Sequence, residues 1–445
     1  MVSSAQENHL LAKRTERTYL SIVLIVFLGI HALLFFYDIS NAKAFLEGDR
    51  AAHRMTSIVT VLDSLKDPSS IMDTLIARGV PGDYIFHVMA YSFYGSYTVI
   101  LFQILLGLVA VVYVYQLAQL LFSNPILSTI AAISYILLPG SLVHPHTLVT
   151  EAFYNPLLVI SFYYSLKYIM ENGRANIIIA GLTASIAAFI RLIFILFPFI
   201  YFGIILFSSK GRKFKDGLIY LTIVFTIPVI WMSMNFVHTG DFAMGGSRFS
   251  RNLYRRVERM ANLEPIDLDE YTVWAMDVDE FFEYLSQHPA SFIKTLQADI
   301  YNLGLNTGVN TFAGRYMGLY EMAENKDYWK NVRDQQGLTG AFIELFNWSP
   351  LLIGINLIAT VLWLLFLIFS FYGFILFLKD KQFSNIIKFT VLIFPIYIIS
   401  TQFIASTPRW SHRTPTEFIF SIMFALASLQ VGNRIKDKKT KVIAK

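Results

Sequence analysis

The sequence predicts an all-α integral membrane protein of about ten transmembrane helices, with interfacial helices in the first outer loop and a mainly helical outer loop domain. Three observations carry this. Of 445 residues, 55% are hydrophobic and only 15% charged, against about 25% charged in soluble domains. The apolar residues fall in uncharged runs long enough to cross a bilayer, which takes about 20 residues. Basic residues cluster in the short segments between those runs.

Lys13, Arg14 and Arg17 precede the first run, 19–37, and no small-residue cleavage site follows it. It therefore reads as a retained span. Further runs cover 97–119, 125–142, 151–169, 176–207, 217–237, 350–378, 386–406 and 415–432. Short loops rich in Lys and Arg stay in the cytoplasm. Arg174, the group Lys210 to Lys215, the group Lys379 to Lys388, and the tail from Arg434 mark those loops and put both termini inside. The run 176–207 has basic residues at both ends. Two helices meeting near Arg191 keep every basic cluster on one side, whereas a single span, giving nine in all, would invert the downstream topology.

The outer segments are then 38–96, 143–150, 238–349 and 407–414. The chain divides into an N-terminal transmembrane module (1–237), an extracytoplasmic loop domain (238–349) and C-terminal helices with a basic cytoplasmic tail (350–445). The loop domain holds ten Lys and Arg against sixteen Asp and Glu, a net −6, so it is not a polybasic segment held inside. There is no cysteine, which excludes disulfides, thiol catalysis and thiolate metal sites.

The first outer segment reads as two interfacial helices. Ala51, Met55, Ile58, Val59, Leu62 and Leu65 recur at helical spacing, and a second helix runs from Asp67-Pro68 to Gly79. Asp49, Arg50, His53 and Arg54 crowd the start of the first. From its spacing alone Asp49 is in the first place a helix cap. The chemical alternative is a carboxylate base beside cations that hold a phosphate. His144, His146 and Glu151 stand in an outer segment too short for a core of its own. They read as hydrogen-bonding groups at the outer mouth, with a metal site as the lesser alternative. Arg191 is a charge inside an apolar run, which calls for a cavity or a partner. Arg248, Arg251, Arg255 and Arg259 form a helical stripe, either paired with the loop's acids or gripping lipid phosphate. Arg409, His412 and Arg413 place positive charge in the last outer turn, against the inside rule, as interfacial anchors or as phosphate ligands.

The order of these features resembles the GT-C superfamily of polytopic glycosyltransferases, in the branch of protein O-mannosyltransferases and lipid A aminoarabinose transferases. Four places carry the resemblance: Glu47-Gly48-Asp49-Arg50 after the first span; Gly79-Val80-Pro81-Gly82-Asp83-Tyr84 leading to the Gln103 span; Leu138-Pro139 and Thr150-Glu151 followed by Gly181-Leu182 to Arg191; and Arg413-Thr414-Pro415. Residues 1–207 hold most of it. The resemblance implies a polyprenyl-phosphate sugar donor used at the extracytoplasmic face by an inverting displacement. It implies an acidic base in the first outer loop, which falls on Asp49, with Asp83 in reserve. The family's commoner form has paired acids at this place; here Arg50 follows Asp49.

The resulting expectation is a membrane glycosyltransferase of a bacterial inner membrane acting on a glycan, lipid or protein acceptor. Asp49 would be catalytic, and Arg50, Arg54, Asp83, His144, His146, Glu151, Arg191, Arg409, His412 and Arg413 would bind substrate. The leaving phosphate belongs to the donor, so no cofactor is expected apart from the open question of a divalent metal, and no nucleic-acid motif is present. The alternatives are a lipid-linked glycan polymerase or ligase, a flippase, and a non-enzymatic assembly factor.

Overall fold

A computed structural model describes residues 4–40, 49–77, 81–208, 213–244, 248–261, 278–316, 350–405 and 410–443. Among the described residues there is no strand. The first helix, α1 (Ser4–Ser40), extends beyond the expected span and carries Asp38 inside it, fully buried. The first outer segment forms three helices rather than two: α2 (Asp49–Ser64), α3 (Pro68–Ala77) and α4 (Pro81–Tyr94). Pro81 opens α4 in the position where a missing amide proton does no harm.

The uncharged α5 (Ser96–Phe122) stops at Ser123, which adopts a left-handed conformation with φ 48°. Asn124 restarts the chain as the N-cap of α6 (Pro125–Ile136), its side chain accepting from the amides of Ile126 and Leu127 at 3.0 and 3.1 Å. Pro139 then prevents α6 from continuing. The helix α7 (Pro139–Val143) and the 3-10 turn His144–His146 bend away by 64°, so the expected straight span 125–142 is a broken one.

The run 176–207 folds as the doubled reading expected. Helix α9 (Arg174–Ile190) ends where Arg191 becomes extended (φ −142°, ψ 117°); a 3-10 turn Leu192–Phe194 and α10 (Phe197–Phe207) follow. The chain reverses at this break. Along α8 (Glu151–Glu171), the Ser161 hydroxyl donates to the Ala180 carbonyl at 3.0 Å, and the Tyr201 hydroxyl donates to the Ser165 carbonyl at 2.6 Å. One straight helix would separate residues 180 and 201 by about 30 Å. Their partners lie one turn apart on α8, so the chain folds back at the break, with Arg191 at the fold. Helices α9 and α10 both pack on α11 (Lys213–Thr239), where Tyr220 meets Tyr201 with ring centres 4.9 Å apart.

By length and hydropathy, six described helices can cross a membrane, or seven if the bent pair counts as one span. The protein is an integral membrane protein, but the expected count of ten also rested on α8, α9 and α10. The last two have 17 and 11 residues, short for about 30 Å of hydrocarbon.

Beyond α11 the chain shows α12 (Arg248–Ala261), α13 (Val278–Gln287), α14 (Pro289–Ile300), a π-turn Tyr301–Leu305 and α15 (Val309–Tyr316). Helices α16 (Pro350–Lys379) and α17 (Asn385–Ala405), a 3-10 turn Trp410–Thr416 and α18 (Glu417–Ile443) complete the bundle. The residue of the arginine helix that is most buried is not on the expected stripe. Arg256 is fully buried, hydrogen-bonds Asp299 and the Phe403 carbonyl, and so ties α12 and α14 to α17. Arg259 shares Asp299. The Trp363 indole on α16 adds a bond to the Gly304 carbonyl at 2.6 Å.

Helices α16 and α18 touch through backbone. A Cβ on Gly373 would lie 1.9 Å from the Met423 carbonyl oxygen, which cannot yield as a side-chain tip would. Gly373→Ala should lower unfolding stability in detergent by at least the 1–3 kcal/mol typical of overpacking (roughly). Gly354→Ala, with open space around its Cβ, should leave the thermal midpoint unchanged.

Candidate active site

The start of α4 is seated by a glycine. A Cβ on Gly82 would be 2.6 Å from the Phe189 carbonyl oxygen, so only glycine lets α4 press against the end of α9, two residues before Arg191. That contact delivers the next residue, Asp83, to the hairpin fold. Arg54 reaches in from α2 and pairs with the Asp83 carboxylate. From one turn along α4, His87 Nδ1 lies 2.7 Å from the Asp83 carbonyl oxygen and 3.2 Å from Oδ1. Gln103 of α5 stands behind the ring, Nε2 to Nε2 at 3.4 Å.

Burial alone would push the Asp83 carboxyl up, but Arg54 and then His87 outweigh it and hold the group well below the usual carboxylate range. Burial likewise opposes the Arg54 charge, which Asp83, Tyr84 and Glu151 more than restore. Asp83 is therefore ionised at working pH and a weak base, suited to holding Arg54 rather than to taking a proton.

The second pair is built on α8. Glu151, in the first turn, accepts from Arg191 at 3.0 Å through Oε1 and from the Thr150 hydroxyl at 3.0 Å through Oε2. The Arg191 guanidinium stacks over Tyr154, 5.4 Å from the ring centre. The extended backbone at the hairpin fold releases Arg191 from the helix, which lets it turn toward Glu151. His144 and His412 lie within electrostatic reach of Glu151, as Arg54 does. Arg54, Asp83, His144, Glu151, Arg191 and His412, drawn from five places in the chain, thus form one cluster. Its two guanidinium groups each meet one carboxylate, and the Glu151 contact uses one of the five N–H donors of Arg191.

Several expected residues lie elsewhere. His146 is buried away from Glu151, with Nδ1 2.7 Å from Asp38 Oδ2 and Nε2 2.8 Å from His31 Nδ1. The bend after α6 turns it toward α1, so it does not line the mouth with His144. Arg413 is not a cation of this cluster. Its guanidinium donates to the carbonyls of Leu303 and Asn306 at 2.7 and 2.6 Å, pairs with Glu417 at 3.3 Å and stacks on Trp363 at 4.0 Å. These contacts clamp the stretch after α14 to the start of the last helix. Asp49 is the first residue of α2 and Arg50 the second, five and four residues before Arg54; their side chains lie outside the described residues, as does Arg409. No group of three or more His, Asp or Glu side chains suited to a metal is found among the described residues.

Sequence reasoning missed His87 and Glu417. His87 follows Asp83 by four residues, a helical spacing that a reading of two helices ending at Gly79 passes over. Glu417 follows Arg413 by four and was absorbed into an apolar span.

Residues 84–234 match the model of the dolichyl-phosphate-mannose-protein mannosyltransferase family. The resemblance to GT-C glycosyltransferases is shown over that stretch, which contains His144, Glu151 and Arg191. No curated protein and no solved structure matches the chain.

Two outcomes test the cluster. Asp83 contributes stability above the ordinary aspartate range near pH 4 (roughly), lost as pH falls toward its depressed folded value. Asp83→Asn should remove that acid limb and, by leaving the part-buried Arg54 without its partner, lower stability at neutral pH by up to about 3 kcal/mol; unfolding followed from pH 7 down to 2 (roughly) reads both. In a double-mutant cycle, Glu151→Gln and Arg191→Gln should be strongly non-additive, the pair together losing little more than either alone.

Proposed function

We propose that the protein is a membrane glycosyltransferase that moves a sugar from a polyprenyl phosphate to a hydroxyl-bearing acceptor at the extracytoplasmic face. The observation that carries this is the convergence of Arg54 and Arg191, each steered by a carboxylate, beside the start of the first outer helix. The matched family, named for a dolichyl-phosphate-mannose donor, spans the hairpin that supplies Arg191.

Asp49 would remove the acceptor proton as the acceptor oxygen bonds to the anomeric carbon and the bond from that carbon to the phosphate oxygen breaks. The electron pair leaves on the polyprenyl phosphate, and configuration inverts. Arg54 and Arg191 would meet the charge that grows on the leaving phosphate, the point where preorganised donors act most strongly. Arg50 and Arg409 remain candidates for the same task. Asp83 and Glu151 would position the two guanidinium groups, with His144 and His412 beside them. The basic clusters favour cytoplasmic termini in a bacterial inner membrane, with α8, α9 and α10 as the further membrane segments.

A polymerase or ligase acting on a diphosphate-linked glycan would call on the wider arginine set of 248–259, but Arg256 and Arg259 are paired with Asp299. The flippase reading gains a buried acid in α1, Asp38, which the sequence placed outside the span.

The test is sugar transfer by the purified chain in liposomes supplied with polyprenyl-phosphate mannose and a mixed set of hydroxyl acceptors. Asp49→Asn should keep donor affinity and lose at least about 100-fold in turnover, the lower end of general-base effects. Near-normal turnover would remove Asp49 from the role.

A further inference from the structure

Helix α12 is held near the ends of two membrane-spanning helices. Ahead of it the chain turns back along α11. The Trp231 indole donates to the Met244 carbonyl at 3.0 Å, and the Asn235 amide donates to the Ala243 carbonyl at 2.8 Å. Trp231 and Asn235 lie in the last three turns of the span Lys213–Thr239. Within α12, Arg256 donates to the carbonyl of Phe403, the last residue of the span Asn385–Phe403. The stretch from Met244 to Arg256 is therefore pinned at both ends to the membrane boundary, on the side that the topology proposed above makes extracytoplasmic.

That stretch concentrates positive charge. Arg248, Arg251, Arg255, Arg256 and Arg259 stand in α12 against one acid, Glu258, although the segment 238–349 as a whole is acidic. The apolar face of the helix is already covered, because Leu253, Val257 and Met260 pack with Phe281 and Tyr284 of α13. Arg256 and Arg259 are paired with Asp299. Arg255 is exposed, and no acid among the described residues pairs with it. Arg251 and Arg248 precede Arg255 by four and seven residues, which places the three positions on one face of the helix.

Unpaired cations fixed at this depth call for an anion. A guanidinium is weakly hydrated and matches two phosphate oxygens at once. Phospholipid phosphates lie just beyond the hydrocarbon core, where spanning helices end. Basic side chains near a membrane surface are drawn to anionic headgroups, each adding to the attraction.

We propose that the face of α12 bearing Arg248, Arg251 and Arg255 binds the headgroup of an anionic phospholipid in the outer leaflet, of the phosphatidylglycerol class. This lipid is a partner of the helix and not the sugar donor, whose leaving phosphate falls to Arg54 and Arg191. Asp299 fixes the helix through Arg256 and Arg259, and the face beside them takes the lipid.

The experiment is photo-crosslinking of the full chain in phosphatidylcholine nanodiscs. The probe is a phosphatidylglycerol or a phosphatidylcholine with a diazirine on an acyl carbon next to the headgroup, and labelled peptides are read by mass spectrometry. The phosphatidylglycerol probe should label the α12 peptide more than the phosphatidylcholine probe by about fivefold or more. Arg251→Gln with Arg255→Gln should abolish that bias. The charge-keeping pair Arg251→Lys with Arg255→Lys should retain most of it, which also shows that changing these positions does not unfold the helix. Equal labelling of α12 by the two probes in the wild type overturns the proposal, as does a bias undiminished in the Gln pair. Absence of α12 labelling by either probe overturns it too, since the helix would then stand clear of the bilayer. None of these readings uses sugar transfer, so failure of the glycosyltransferase reading would be seen separately.

Discussion

The ion pair between Arg191 and Glu151 is the contact on which the rest of the site depends. A guanidinium within an apolar run is tolerated only with a partner or a polar cavity, and the chain provides both by breaking its helix there. The break ends α9, which returns along α8, and turns the chain into α10, and the same α8 carries Glu151 in its first turn. The fold of the hairpin and the charge of the site are thus one feature. Removing the acid would leave a part-buried cation without its partner, a costly way to disrupt a pair.

The second pair uses the same logic, with its carboxylate more deeply buried than Glu151. Gly82 allows α4 to touch backbone at Phe189, which fixes Asp83, which in turn holds Arg54. Without the close approach, Arg54 would be an ordinary cation on an interfacial helix. The carboxylates here position the cations, and this division of labour explains why Asp83, though acidic and in the matched region, is poorly suited to act as base. A carboxyl held down by an arginine and a histidine has little affinity for a proton.

Much of this was legible in the sequence because membrane insertion penalises charge so heavily. The doubled run 176–207 could be divided at Arg191 from the basic residues flanking it, and the interfacial helices showed through apolar spacing and Pro68. What stayed hidden depended on chain reversal and backbone proximity. Arg413 looked like a phosphate ligand because positive charge outside the membrane needs a reason. Its reason is the row of carbonyls at Leu303 and Asn306, 110 residues away along the chain. His146 looked like a partner of His144, but the 64° bend after α6 sends it to Asp38 instead. Spacing within one segment cannot reveal such a turn.

The clamp at Arg413 also bears on how the last helix enters the site. Arg413 binds the outer domain on one side and Glu417 on the other, so the orientation of Glu417 is linked to the seating of that domain. Arg256 provides a second tie, from α12 to the carbonyl of Phe403 on α17. With both in place, α12, α14 and the π-turn are tied to α17 and to the turn that opens α18, and these ties come from parts of the chain that carry no reacting group.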